Sequence, residues 1–519
     1  CSSDLKTYTT LAVIHLGSEM LRLQIVEYRG LNRIKQIERC DYPIRLGEET
    51  FKNGRISYSM VEEICQVLQG FRELMRDYGT DVYVAQATTA VREAENKVFL
   101  LDQIKLRTGL DIEVVEMPME IYTKYVAIRT TMRDERISSQ QGILLLDISS
   151  GGLGVSLLQD DKIKAQQNFH MGIIRIKESF NQYQRSSLHF NRALMQFLSS
   201  TIGPVRQAIE GLPVRFLLLS GTETELMLKV LELQNKKKVN RVTTERFREI
   251  FDKIRKLNLP QLMKTYGLSE AEGELVLPMV LLYEQLLELA PTAQEIIITD
   301  DTFVDGMILS HIIQEKDPAY AYILEEEKMS LIHHVGERYH YDYGHVTQVE
   351  KLALILFDKL GKKYGLDEHS RLLLRAAAIL HDIGKYVSLR SHSLYSYQLI
   401  MGTDLVGFTG EDKLVIAMTS YYHAHNVFER DKKSLPELKS ELVPLVAKLS
   451  AILRLADALD RSYLQKIQQC KATIQNRELV IQVVSKVELD LEEWTFASKV
   501  STMEEVYGFK VRLERVNAL

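Results

Sequence analysis

Four residues stand in an order that can hold a cation: His345, the adjacent pair His381-Asp382, and Asp457, each in a segment with helical spacing. Imidazole nitrogen together with carboxylate oxygen suits manganese, iron, zinc or magnesium. Such a set leaves positions for a water and a phosphate oxygen, which metal-assisted phosphoester hydrolysis requires. The same four also read as satisfied polar groups inside a helical domain, and both readings stay open. His392, His423 and His425 lie where further ligands could sit, and Lys385 reads as a phosphate contact or as a cation at a helix C-terminus. A second chemistry is offered by two small-residue turns, Gly17-Ser18 and Ser149-Ser150-Gly151-Gly152. A strand–turn–strand with Gly and Ser at the bend exposes backbone N–H groups that can wrap a phosphate.

The elements that must position these groups follow from periodicity. Leu11–Gly17 and Met20–Tyr28 read as two strands joined at Gly17-Ser18, and Arg33–Asp41 as a third. Ser59–Asp77 has helical spacing. Val82–Ala87 and Ile112–Val115 read as strands, with helices near Val91 and over Glu120–Arg129. From Gly142 the plan repeats: strand, Gly-rich turn, strand, turn at Asp160-Asp161, strand. Phe216–Leu219 and Glu295–Ile298 add two more strands. Two similar halves facing each other is how actin-like ATPases are built. Beyond Ala319 the pattern is helical, over His345–Tyr364, Ser370–Asp382, Asp412–His423 and Leu442–Arg461, with Gly384 as a helix stop. Ala472–Leu519 returns to strand-like alternation and reads as a small α/β cap.

With 519 residues, 45% of them hydrophobic, the chain can bury several cores. The net charge of −5 provides no global basic field, so neither nucleic acid nor membrane is expected as a partner. The basic loop Asn235–Asn240, with Lys236, Lys237 and Lys238, reads as a solvated face or as steering for an anionic substrate. Cys1, Cys40, Cys65 and Cys470 are scattered and form no CxxC pair, which reads as reduced thiols in a cytoplasm. No apolar run approaches the roughly 18 residues of a membrane span. The first residue is Cys1 and not Met, so the natural start is left open.

Several stretches resemble the exopolyphosphatase / guanosine pentaphosphate phosphohydrolase family. IHLGSEMLRL (Ile14–Leu23) resembles the family form IDLGSNSFRL, ATTAVREAEN (Ala87–Asn96) its ATSALREAxN, and LLDISSGGLGV (Leu145–Val155) its VIDIGGGSTEL. Ser220-Gly221-Thr222 is similar to the family's SGT turn. AAAILHDIGK and LSAILRLADALDRS are similar to a helical HD-type segment, and Leu489–Gly508 to the C-terminal segment. The resemblance implies that Arg22 and Arg92 grip successive phosphates, that Glu120 orients the attacking water, and that Asp147 is linked to a metal. It further implies phosphate binding by Gly17, Ser18, Gly151, Gly152, Ser220, Gly221 and Thr222, and metal binding by Asp147, His345, His381, Asp382 and Asp457.

The departures are informative. His15 stands where the family has its first Asp, Gly154 where the second motif has Glu, Ser149 and Ser150 where it has glycines, and Val304 where it usually has Arg. Tyr395 stands where a related pattern has a second His. Two lost carboxylates remove hard oxygen ligands from a magnesium site.

The expectation is two actin-like (RNase H-like) domains, residues 1–132 and 133–315, then a helical HD-type domain, 316–468, and a small α/β segment, 469–519. Its activity would be metal-assisted release of terminal phosphate from inorganic polyphosphate or guanosine pentaphosphate, with magnesium or manganese as cofactor, in the cytoplasm and as a homodimer. Two alternatives stand beside it. One is an HD-type metal-dependent phosphohydrolase whose actin-like half is a sensor. The other is a polyphosphate- or alarmone-binding protein without turnover.

Overall fold

The computed structural model describes residues 8–148, 152–160, 162–178, 189–209, 213–221, 224–233, 238–425, 438–475 and 477–516. The chain divides into two compact units, Cys1–Glu327 and Lys328–Leu519.

The first unit is built on two sheets of one plan. β1 (Thr9–Leu16), β2 (Met20–Tyr28) and β3 (Ile34–Pro43) form an antiparallel meander. β4 (Tyr83–Ala87) then joins β1 in parallel, and β5 (Glu113–Val114) joins β4, giving the order β3-β2-β1-β4-β5. The second sheet repeats this with β6 (Ile143–Ile148), β7 (Leu153–Gln159), β8 (Lys162–Phe169), β9 (Phe216–Gly221) and β11 (Glu295–Thr299). β10 (Val239–Thr243) is added antiparallel at its edge, and the order is β10-β11-β9-β6-β7-β8. Central strands covered on both faces must be apolar throughout, and every residue of β6, ILLLDI, is buried. Asp147 is the one charge in that run, at its C-terminal end.

On one face of the first sheet, Leu11, Val13, Val26 and Tyr28 pack against Phe303, Val304, Met307, Ile308 and Ile312 of the Phe303–Lys316 helix. Val304 is thus a core residue. The Phe303–Lys316 helix starts on a capping box between Thr302 and Asp305. It crosses the Met117–Asp134 helix at Gly306, where a β-carbon would lie 2.0 Å from the Thr123 carbonyl oxygen. Only glycine permits that approach.

The second unit is helical, with helices Tyr343–Leu360, Glu368–Leu380, His392–Met401, Gly410–Tyr422 and Val443–Ala458. They share one apolar core with a three-stranded sheet, β12 (Ile467–Gln475), β13 (Glu478–Ser485) and β14 (Lys510–Val516), in the order β12-β13-β14. The stretch expected as a small α/β cap holds an 18-residue helix, Asp490–Tyr507, between β13 and β14. It buries Phe496, Met503 and Tyr507 and leaves Trp494 75% exposed. Among the described residues no helix is long and apolar enough to cross a membrane.

Candidate active site

The first unit gathers its charges where the strand ends of both sheets meet the Met117–Asp134 helix. Glu120 and Lys124 are one turn apart on that helix, so they share a face. The Lys124 ammonium lies 3.2 Å from Asp147 Oδ2, 3.4 Å from Asp147 Oδ1 and 3.6 Å from Glu120 Oε1. Arg92 Nη1 donates to Glu120 Oε2 at 2.9 Å and to the Val115 carbonyl at 2.7 Å, and its Nη2 donates to Thr89 Oγ1. Glu120, Lys124 and Asp147 are buried. Burial opposes the Glu120 charge, but Lys124 and Arg92 outweigh it and hold the carboxyl below its usual range. Burial likewise opposes the Lys124 charge, and Asp147 and Glu120 outweigh it, holding the ammonium above its ordinary value. Burial pushes the Asp147 carboxyl up, partly offset by Lys124. Thr89, Arg92, Glu120, Lys124, Asp147 and Gly154 line a small cavity.

His15 lies beside this group, with Nε2 3.1 Å from Thr88 Oγ1. Burial lowers its pKa to about 4, so the imidazole is neutral near pH 7. Arg22 pairs with Asp41 on β3 through two hydrogen bonds, Nε at 2.5 Å and Nη2 at 3.1 Å. The Gly17 N–H donates to the Met20 carbonyl and closes the β1–β2 turn, while Ser18 is buried beside it. Gly152 opens β7, and Gly221 ends β9 alongside Ile148. Ser220 is buried and donates to the Asp301 carbonyl. Ser149, Ser150, Gly151 and Thr222 lie outside the described residues, as do Lys236 and Lys237.

Sequence reasoning passed over two residues here. Lys124 is not singled out by any motif, and only the helix register brings it between two carboxylates. Asp301 is buried at the end of β11, bonded by Thr131, and burial raises its pKa to about 6.

The second unit brings His345, His381, Asp382 and Asp457 together. Asp342 caps the Tyr343–Leu360 helix through the His345 N–H, which fixes His345 in the first turn. His345 Nε2 lies 3.5 Å from Asp457 Oδ1 and 3.7 Å from Asp382 Oδ2. His381 Nε2 lies 3.7 Å and 3.6 Å from the same two oxygens. Both imidazoles are wholly buried, and neither Nε2 has a hydrogen-bond partner. The other ring nitrogens are anchored, His345 Nδ1 on Asp460 at 2.9 Å and His381 Nδ1 on the Ala378 carbonyl at 2.8 Å. Asp460 is a positioning residue not singled out from LRLADALDRS. Burial alone would lower His345, but Asp457 and Asp460 outweigh it and raise it to about 9.

Gly384 acts by close approach more than as a helix stop. A β-carbon there would lie 2.0 Å from the His392 carbonyl, and Ser396 links the Gly384 N–H to the His381 carbonyl. The turn after His381-Asp382 is thereby held against the His392–Met401 helix. His392 and His423 meet at Nε2, 3.2 Å apart, and lie 3.5 Å and 3.9 Å from Asp382 Oδ1. His425 turns away to Ser393. Lys385 donates to Asp382 Oδ2 at 2.6 Å, and Lys499 to Asp457 Oδ2 at 2.5 Å.

The two sites differ in fitness for a metal. In the second unit, His345, His381 and Asp457 could hold an ion, as could His381, Asp382 and His423. An Nε2 turned towards two carboxylates, with Nδ1 anchored on the other side of the ring, is what a bound cation would engage in place of a proton. In the first unit the Asp147 carboxylate faces an ammonium, and the set does not fit a divalent ion.

Two sheets of like order, closing on buried acids and bases at their strand ends, define a phosphoryl-handling protein of the actin-like class. The sequence matches the Ppx/GppA phosphatase family over residues 25–315 and that family's domain III over residues 328–497. The chain belongs to the Ppx/GppA phosphatase family. It is 24% identical over 407 residues to the guanosine-5'-triphosphate,3'-diphosphate pyrophosphatase of Vibrio atlanticus, covering 78% of each chain. It is 25% identical over 166 residues to exopolyphosphatase 1 of Mycobacterium bovis, covering 32% of this chain and 47% of that one. The crystal structure of the Aquifex aeolicus Ppx/GppA family member superposes with a TM-score of 0.51 at 20% identity, over 60% of this chain and 99% of that one. An exopolyphosphatase from Cytophaga hutchinsonii gives 0.51 at 17% identity, over 59% and 98%. These likenesses establish the fold over the share of the chain that they cover.

Proposed function

We propose that the chain releases terminal phosphate from inorganic polyphosphate or guanosine pentaphosphate, at the Glu120 site. The observation that carries this reading is the buried line Arg92–Glu120–Lys124–Asp147 at the strand ends of two sheets of like order. Residues 1–132 and 133–315 act as the lobes of the cleft, residues 316–468 as a helical domain and 469–519 as its cap. Hydrolysis of a phosphoanhydride demands mainly positioning and charge neutralisation. Glu120, kept ionised by its two cations, accepts a hydrogen bond from the attacking water and aligns it. Arg92 and Lys124 offset the charge that develops on the transferred group. The relatives named as a pyrophosphatase of the guanosine compound and as an exopolyphosphatase supply the two substrate candidates.

One observation favours a second reading, hydrolysis in the second unit. His345 and His381 bury unpartnered nitrogens against Asp382 and Asp457. These four residues would hold magnesium or manganese, with His392 and His423 beside them. Such an ion, when bound, supplies Lewis acidity and a nucleophilic water. Lys499 holds the Asp457 oxygen turned from the imidazoles, Lys385 holds the Asp382 Oδ2 that faces them, and Asp460 fixes the His345 ring.

Phosphate release from both substrates, measured for the wild type, Glu120→Gln and Asp382→Ala, decides between them. We expect Glu120→Gln to lower release by about 10²–10⁴-fold. Loss confined to Asp382→Ala would move the chemistry to the second unit. Binding without release in the wild type, with magnesium or manganese present, would leave a binding protein only.

A further inference from the structure

We propose that Lys124 is the resident cation of the Glu120 site, and that this site engages a phosphoryl group without a divalent metal. The inference rests on the reading that this site handles polyphosphate or guanosine pentaphosphate.

Both Asp147 oxygens lie within 3.4 Å of the Lys124 ammonium, one Glu120 oxygen is 3.6 Å from it, and the other accepts from Arg92 at 2.9 Å. All four oxygens are therefore matched by fixed positive groups. A divalent ion needs several unshared oxygen ligands, and here it would have to displace an ammonium already buried with its counter-ions. Charge leads to the same result. Arg92 and Lys124 balance Glu120 and Asp147, and His15 is neutral, so the cluster carries no surplus negative charge to attract an ion.

The neighbouring positions agree. A β-carbon on Gly154 would lie 3.8 Å from the Asp147 β-carbon, so a longer acidic side chain there would point to the same place, and glycine supplies none. His15, on the other side, offers an imidazole bonded to Thr88. Among the described residues, the groups of His, Cys, Asp and Glu able to surround a metal lie in the second unit. An ammonium on a helix is a pre-placed point charge with three donors. Asp147 engages it at 3.2–3.4 Å and Glu120 pairs with it at 3.6 Å, and an incoming phosphate oxygen takes its remaining donor capacity. The ligand class is a terminal phosphoryl group of a polyanion.

The test measures binding of fluorescently labelled polyphosphate to the full chain by anisotropy, in EDTA and then with excess manganese. The wild type should bind within about threefold of the same affinity in both. Lys124→Gln should lose at least tenfold in EDTA and recover part of it with manganese, because the vacated carboxylate pair can then take an ion. Wild-type binding that appears only with metal overturns the inference while leaving the substrate reading intact. Lys124→Gln that binds like the wild type in EDTA also overturns it. Absence of binding under every condition overturns both. If Lys124→Gln does not fold, the wild-type comparison alone still decides.

Discussion

His15 couples the first site to pH. Its folded pKa is lowered to about 4 by burial, against an ordinary value of 6.5. Between those values the unfolded chain binds the extra proton, so stability is full above about pH 6.5 and falls as the pH drops towards 4. The shift corresponds to at most about 3 kcal/mol, and roughly 1–2 kcal/mol after solvent screening of a half-buried ring. Urea unfolding of His15→Gln should show a flatter pH dependence across that window than the wild type, and an unchanged slope would place the proton uptake elsewhere. Single residues were unevenly legible. His345, His381, Asp382 and Asp457 come together as their order implied. Lys124 and Asp460 escaped because each gains meaning from a partner far away in sequence, Asp147 for the first and His345 for the second. Arg22 was expected to face a phosphate. The cross-strand pairing of β2 with β3 sets it opposite Asp41, which accepts from its Nε and Nη2.

Among the elements, the crossing of the Met117–Asp134 and Phe303–Lys316 helices sets where Glu120 and Lys124 stand. At Gly306 a side chain would meet the Thr123 backbone, which cannot yield as a flexible side chain would. Gly306→Val should cost about 2–4 kcal/mol in chemical denaturation. It should also lower phosphate release in the fraction that stays folded, since the helix carrying Glu120 must shift. Wild-type stability would mean that the crossing relaxes freely. The hairpin β1–β2 and the repeat at β6–β7 were readable because apolar strands flank small-residue turns. The Asp490–Tyr507 helix had no bounds within the expected α/β cap, because its apolar anchors Phe496, Met503 and Tyr507 are few among polar residues. Val304 illustrates the opposite case: a departure from the family pattern is accounted for by packing against Leu11 and Val13.

For the molecule as a whole, each unit has cores of its own, so unfolding should proceed in two cooperative steps. Manganese at about a hundred times its dissociation constant should raise the step of the second unit by about 2.7 kcal/mol. Asp457→Asn should abolish that gain, as calorimetry with and without the ion would reveal. A shift confined to the first step would contradict the metal assignment. Following these steps calls for the right signal. Trp494 is the one tryptophan of the chain, and its indole is three-quarters in water in the native fold. Its emission should therefore already be red-shifted and change little on denaturation, so circular dichroism or heat capacity must carry the measurement. The same indole lies on the helix that presents Lys499, where a soluble quencher reaches it without entering either core.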